Sequence, residues 1–252
     1  MTKNAIIQAM YDRDVLVFGH RGAKLYAPQN TLPAFELAAL QGAQGIELDV
    51  HRSKDGYPVI IHDFTVDATT DGTGLVVEKT LAELKALDAG AYFGAAFAGV
   101  RIPTLDEVFE AVGARLYINV EIKSVSAETD GVEEVVADCI RRHSMERRVI
   151  VSSFNPLTLR RFRAAAPDVP IGYLDWADAP PELRAQMESL AYEAYHPEHS
   201  MISPELIADA DAAGHIVNAW TVNDAERVKL LAAMGVRGII TDAPDIALAA
   251  LG

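Results

Sequence analysis

Residues 115–174 read RLYINVEIKSVSAETDGVEEVVADCIRRHSMERRVIVSSFNPLTLRRFRAAAPDVPIGYL. Short runs rich in β-branched residues at 115–122, 148–154 and 169–174 alternate with longer segments of helical period at 130–143 and 155–167. The second helix opens on Asn155 with Pro156 in its first turn, a usual pair of start signals. Strict alternation of strand and helix predicts a parallel sheet, since each helix returns the chain to the edge where the next parallel strand begins.

The same rhythm extends in both directions. Upstream lie a strand at 15–19, a helix at 31–42 ending on Gly42, a strand at 45–50 and a helix at 104–113. Downstream come a helix at 180–190, a weaker strand at 191–197 and a helix at 203–214 with Ser203 as cap and Gly214 as stop. The last two units pair strands at 215–222 and 236–241 with helices at 224–235 and 243–251. Eight strand and helix pairs in 252 residues favour a closed (β/α)8 TIM barrel over an open doubly wound sheet, in an α/β chain forming one domain over 1–252. An insertion of about 63–101 follows the second strand; it carries the turns TTDGTG, a short helical pattern TLAELKAL and an aromatic loop DAGAYFGAAFAG.

Half the residues are apolar, enough for a large core. A net charge of -14, from 36 acidic and 22 basic residues, argues against nucleic acid or an anionic membrane as the main partner, though it permits a local positive pocket. Cys139 is the single cysteine and falls in an apolar helical row, as expected of a small core residue in a reducing compartment. No run of about 18 apolar residues offers a membrane span, and the opening MTKNAIIQAMYDRD lacks the features of a secretory leader, so a soluble cytoplasmic protein is expected.

In such a barrel the working residues sit at the carboxyl ends of the strands. There the sequence places His20 and Arg21, Glu47 and Asp49, His62 and Asp63, Glu121 and Lys123, Ser152 and Ser153, Trp220 and Asn223, and Asp242. Glu47 and Asp49 are two apart and so share one face of their strand, and Glu121 ends the neighbouring strand. Three convergent carboxylates repel and would protonate unless a cation sits among them. Oxygen ligands select a hard ion, Mg²⁺ or Ca²⁺. The alternative is a structural ion network in which Glu47 and Asp49 pair with Arg21 and Lys123. His20 and His62 beside a hard cation suit acid and base catalysis on a phosphate ester, with Arg21 and Lys123 holding the phosphate oxygens. Trp220 reads either as core or as a pocket wall, and Gly22 as the residue that lets the chain turn at the strand end.

The motifs HRG, APQNT, GIELDV, SKDGYPVIIHD, TTDGTG, IPTLDE, NVEIK, AWTVND and GVRGIITDAP, in this order, resemble the glycerophosphodiester phosphodiesterases, the bacterial cytoplasmic type in particular. The resemblance covers about 15–244. It implies a barrel with a small insertion after the second strand, and hydrolysis of deacylated phospholipids such as glycerophosphocholine to sn-glycerol 3-phosphate and an alcohol. Carried over by position, it makes Glu47, Asp49 and Glu121 the metal ligands and His20 and His62 the acid and base. Arg21 and Lys123 match phosphate-contacting positions, and Trp220 an aromatic at the end of strand seven. The family mechanism has the substrate's own glycerol hydroxyl attack phosphorus, giving a cyclic phosphate that water opens. One departure is Gln29, where the family usually carries Glu, which removes a negative charge near the site. Rival readings are a lysophospholipase D, a lyase that stops at the cyclic phosphate, and a non-catalytic phosphodiester-binding protein. An acylated substrate would need an apolar entrance, for which the sequence offers AYFGAAFAG in the insertion.

Overall fold

In the computed structural model, which describes residues 3–12 and 15–252, the alternation closes on itself. The order is α1 (Lys3–Met10), β1 (Leu16–His20), α2 (Leu32–Leu40), β2 (Gly45–Arg52), β3 (Pro58–Ile60), α3 (Leu81–Ala86), α4 (Leu105–Val112), β4 (Tyr117–Ile122) and α5 (Val132–Arg142). There follow β5 (Val149–Ser153), α6 (Pro156–Ala165), β6 (Ile171–Asp175), α7 (Pro181–Glu188), β7 (Ala194–Pro197), α8 (Pro204–Ala213), β8 (Ile216–Ala219), α9 (Ala225–Met234), β9 (Gly238–Thr241) and α10 (Pro244–Leu251). Strands β1, β2 and β4 to β9 pair in parallel, and β1 hydrogen-bonds to both β9 and β2, which makes the cylinder complete. The short β3 is the exception: it lies antiparallel on the outer half of β2, opposite Val50, His51 and Arg52.

Local signals explain the boundaries. Asn155 accepts from the Leu157 N–H ahead of Pro156, Ser203 accepts from the Leu206 N–H, and Asp224 accepts from the Arg227 N–H, so each helix start has one otherwise unpaired donor satisfied. Thr104 and Glu107 form a reciprocal capping box on α4. Gly214 closes α8 in the left-handed conformation (φ 77°), which costs glycine little.

The helices pack their apolar faces on the outside of the cylinder through Phe35, Val108, Val136, Leu159 and Phe162 on one side and Ile207, Val228, Leu231 and Ala247 on the other. Cys139 belongs to this buried layer. A separate cluster fills the barrel interior: Phe18, Ile150, Ala194, Ile216 and Ile240, together with Ile7, Met10 and Tyr11. These last three come from α1 and its end. The reading of 1–14 as free of a leader had assigned that segment no fold role; the helix within it in fact plugs the amino-terminal end of the barrel. Met1, Thr2, Arg13 and Asp14 of that reading lie outside the described residues. No helix among the described residues is long and apolar enough to cross a membrane.

Bulk inside the cylinder is balanced by glycine on facing strands. A Cβ on Gly238 would lie 2.1 Å from Asn218 Oδ1, and one on Gly172 would lie 2.8 Å from the His196 ring. His196 is fully buried; its Nε2 faces the Asn218 amide at 3.0 Å, and that amide also donates to Tyr11 Oη at 2.7 Å. Burial pushes the His196 imidazole down to about 3. The unfolded chain therefore takes up a proton near pH 6.5 that the folded protein refuses until about pH 3, and stability must fall as pH drops through that window. Unfolding free energies from urea titrations between pH 6.5 and 4.5 are expected to fall less in His196→Gln than in the parent, by up to about 1.4 kcal/mol per pH unit.

Candidate active site

The parallel register of β2 and β4 brings Asp49 opposite Glu121 and Glu47 opposite Asn119, while β1 sets His20 opposite Glu47. All four polar strand positions of β2 and β4 point into the cylinder, because in-register neighbours share a face. Glu47, Asp49 and Glu121 are buried (4%, 1% and 8% exposed), and each offers an oxygen within 4.8 Å of the others. The expected convergence of the three carboxylates is thus present.

Two cations reach this cluster. Lys123 Nζ lies 2.7 Å from Glu121 Oε1 and 3.4 Å from Asp49 Oδ1, and Arg21 Nε lies 3.2 Å from Asp49 Oδ2. Asn30 donates to Asp49 Oδ2 (2.8 Å) and its Oδ1 accepts from the Asp49 N–H (3.3 Å). Glu47 has no such cation; it accepts from the Arg21 backbone N–H at 3.0 Å and stands 3.9 Å from His20 Nε2. The electrostatics follow. Burial, then the charges of Asp49 and Glu121, drive Glu47 well above the usual carboxylate range. Burial and Asp49 push Glu121 up to about 7 despite Lys123. Burial alone would raise Asp49 as well, but Lys123 and Arg21 hold it below its ordinary value. Arg21 and Lys123 serve Asp49 and Glu121 and leave Glu47 without a cation of its own. This all-oxygen donor set fits a hard divalent cation.

Both predicted histidines line the same cavity, and each is held by a carboxylate. His20 Nδ1 is 2.6 Å from Asp242 Oδ1, and His62 Nδ1 is 2.6 Å from Asp63 Oδ1. With Nδ1 so engaged, Nε2 is the nitrogen left to exchange protons in the pocket. Burial lowers both imidazoles below the usual histidine range, opposed at His20 by the Asp242 hydrogen bond and at His62 by the charge of Asp49. Neutral rings that can accept a proton are the result. The cavity, about 280 Å³, is bounded by His20, Arg21, Glu47, His62, Glu121 and Lys123, with Asn119, Phe154, Leu174, Trp220, Thr221 and Ile240 completing its wall. Trp220 is a pocket wall rather than core, its indole N–H fixed on the His196 carbonyl at 2.7 Å.

Two residues, Asn30 and Asn119, and one pairing escape a reading of strand ends. Asp242 was visible at the end of its strand, but its pairing with His20 spans 222 residues. Asn30 sits in the loop after β1. Asn119 lines the pocket 2% exposed, with neither amide atom hydrogen-bonded. Gln29 accepts from Arg21 Nη1 at 2.7 Å, so it touches the carboxylates only through the guanidinium. The aromatic loop of the insertion comes to the rim of the site, where Tyr92 Oη accepts from the Gln29 N–H at 3.2 Å; further apolar surface bordering the pocket comes from Phe64, Val125, Phe154 and Trp176.

Buried carboxylates, paired imidazoles and two cations at the carboxyl mouth of a (β/α)8 barrel define a class of enzymes acting on anionic esters. Within it, the chain belongs to the glycerophosphoryl diester phosphodiesterase family, whose model matches residues 20–246. A glycerophosphodiester phosphodiesterase of Caldanaerobacter subterraneus subsp. tengcongensis is 44% identical over 231 residues, covering 91% of this chain and 95% of that protein. An Oleispira antarctica phosphodiesterase, solved in complex with the product sn-glycerol-3-phosphate, is 33% identical with a TM-score of 0.84, covering 96% of this chain and 98% of that one. A glycerophosphoryl diester phosphodiesterase structure from Silicibacter pomeroyi gives a TM-score of 0.84 at 30% identity, covering 94% and 93% of the two chains.

The HRG turn shows why the strand ends as it does. Arg21 (φ 55°) and Gly22 (φ 85°) are successive left-handed residues, and a Cβ on Gly22 would come 2.6 Å from the α2 backbone at Ala34. Gly22→Ala is expected to lower stability by more than about 1 kcal/mol in urea titrations and to reduce kcat, because relieving the clash moves His20 and Arg21 together.

Proposed function

We propose that this enzyme hydrolyses small glycerophosphodiesters, deacylated phospholipids such as glycerophosphocholine, to sn-glycerol 3-phosphate and an alcohol. The observation that carries the reading is the meeting of three buried carboxylates, two carboxylate-held imidazoles and the Arg21 and Lys123 cations around one cavity. The product bound by the Oleispira antarctica relative supports the same substrate class.

Glu47, Asp49 and Glu121 would hold one Mg²⁺ or Ca²⁺, which when bound polarises the phosphoryl oxygens. Arg21 and Lys123 hold the remaining phosphate charge. One of His20 and His62 withdraws a proton through Nε2 from the glycerol hydroxyl that attacks phosphorus, while the other, as imidazolium, gives one to the departing alcohol oxygen; water then opens the resulting cyclic phosphate with the two roles exchanged, giving sn-glycerol 3-phosphate. Asp242 and Asp63 fix the ring tautomers and stabilise each imidazolium as it forms. Trp220, Leu174 and Ile240 form the apolar part of the cavity wall. Residues 1–252 act as one unit, with the 63–101 excursion beside the mouth. The buried Cys139 and the acidic surface fit a reducing cytoplasm and a small soluble substrate rather than nucleic acid.

Release of sn-glycerol 3-phosphate from glycerophosphocholine is expected with Mg²⁺ or Ca²⁺ and to stop on chelation. His62→Ala is expected to lose about 10²- to 10⁴-fold in kcat; equal release by parent and variant would refute the assignment. Asp242→Asn should reduce kcat at least about tenfold with little change in KM, since it disturbs the His20 ring without touching the pocket wall.

A further inference from the structure

The catalytic cavity does not end at Phe154 and Trp220. Both residues, with Glu121 and Lys123, also line an open trough of about 560 Å³ whose outer walls are Phe64, Val125, Trp176 and Glu198. Phe154 stands between the two tryptophans, edge to face with each, at ring-centroid distances of 5.4 Å to Trp176 and 5.5 Å to Trp220. The rings are anchored: Trp220 through its indole N–H, and Phe64 by a T-shaped contact with the buried His51 ring at 4.9 Å. Glu198 adds a carboxylate held by the Ala177 N–H at 3.3 Å. Lys123, the one cation lining the trough, has its ammonium engaged with Glu121 and Asp49 at the inner end.

We propose that this trough is the subsite for the leaving alcohol, and that it selects a quaternary ammonium group; this rests on the phosphodiesterase reading above. With phosphorus between the histidines and one ester arm in the inner cavity, the second arm has the trough as its continuous way out. Its outer walls are aromatic and apolar with the Glu198 carboxylate among them, surroundings that attract a poorly hydrated cation. A trimethylammonium head has no N–H to satisfy and loses little water there. A primary ammonium would exchange three hydrogen bonds to water for a single carboxylate. An uncharged polyol would find aromatic carbon where it needs partners, and an acyl chain would gain nothing from Glu198.

The test compares kcat/KM for four esters of sn-glycerol 3-phosphate: choline, its uncharged isostere 3,3-dimethylbutanol, ethanolamine and glycerol. The choline ester should exceed the isostere and the ethanolamine ester by about five- to thirtyfold. Glu198→Gln, which keeps size and an acceptor for Ala177, should cut that ratio about threefold or more while turnover of the glycerol ester stays at the parent value. Trp176→Leu should do likewise, and Trp176→Phe should restore most of the preference. Equal rates on the choline ester and the isostere, or a proportional loss on all four esters in both Glu198→Gln and Trp176→Leu, would overturn the subsite while leaving the hydrolase intact. Faster turnover of 1-acyl lysophosphatidylcholine than of glycerophosphocholine would assign the trough to an acyl chain instead. No product from any ester would remove the hydrolase reading itself.

Discussion

Three carboxylates buried within touching distance of one another make a demand that the rest of the barrel mouth is arranged to meet. Each anion alone would need a partner to survive burial, and together they raise one another's cost. The register of β2 against β4 creates the problem by putting Asp49 beside Glu121 with Glu47 one step below. Arg21, Lys123 and Asn30 relieve Asp49 and Glu121 and leave Glu47 with a backbone N–H and a distant imidazole. Glu47 is thus the member of the cluster without a cation of its own, in an all-oxygen set that would suit a divalent ion. The same cluster explains the strained HRG turn, since only a backbone bent through Arg21 and Gly22 delivers an N–H to Glu47 and a guanidinium to Asp49 at the same time.

The two histidines repeat one device. In each, a carboxylate occupies Nδ1 and the ring lines the pocket partly withdrawn from water, which favours its neutral form. The supports come from opposite directions in the chain: Asp63 is the next residue to His62, whereas Asp242 arrives from the last strand, next to β1 only because the barrel closes. Closure is thus a chemical requirement as well as a topological one. A sheet left open between β1 and β9 would part His20 from the residue that orients it.

Much of this was legible in the chain. Glu47, Asp49 and Glu121 stand out because a carboxylate inside an apolar strand needs a reason, and the two-residue period of a strand shows which of them share a face. The eight units could be counted because each helix carries its own start and stop chemistry, as at Asn155, Ser203 and Gly214. What stayed hidden depends on closure or on loops. The link from Asp242 to His20 has no local signature, and the loop residue Asn30 reaches Asp49 through a left-handed backbone no propensity foretells. The aromatic trough draws Phe64, Val125, Phe154 and Trp176 from four separate loops, so it has no contiguous signature in the chain. Ile7, Met10 and Tyr11 went unread as structure because the terminal segment was weighed only as a leader.

The stopper formed by α1 makes the cylinder a dead-ended well. Among the described residues, the cavity holding Glu47 and Glu121 lies at the carboxyl mouth, opposite the end that α1 fills. Under the proposed function, a phosphate held by Arg21 and Lys123 would stand in the way of the next molecule, so turnover would depend as much on how loosely those two side chains grip as on how well they orient.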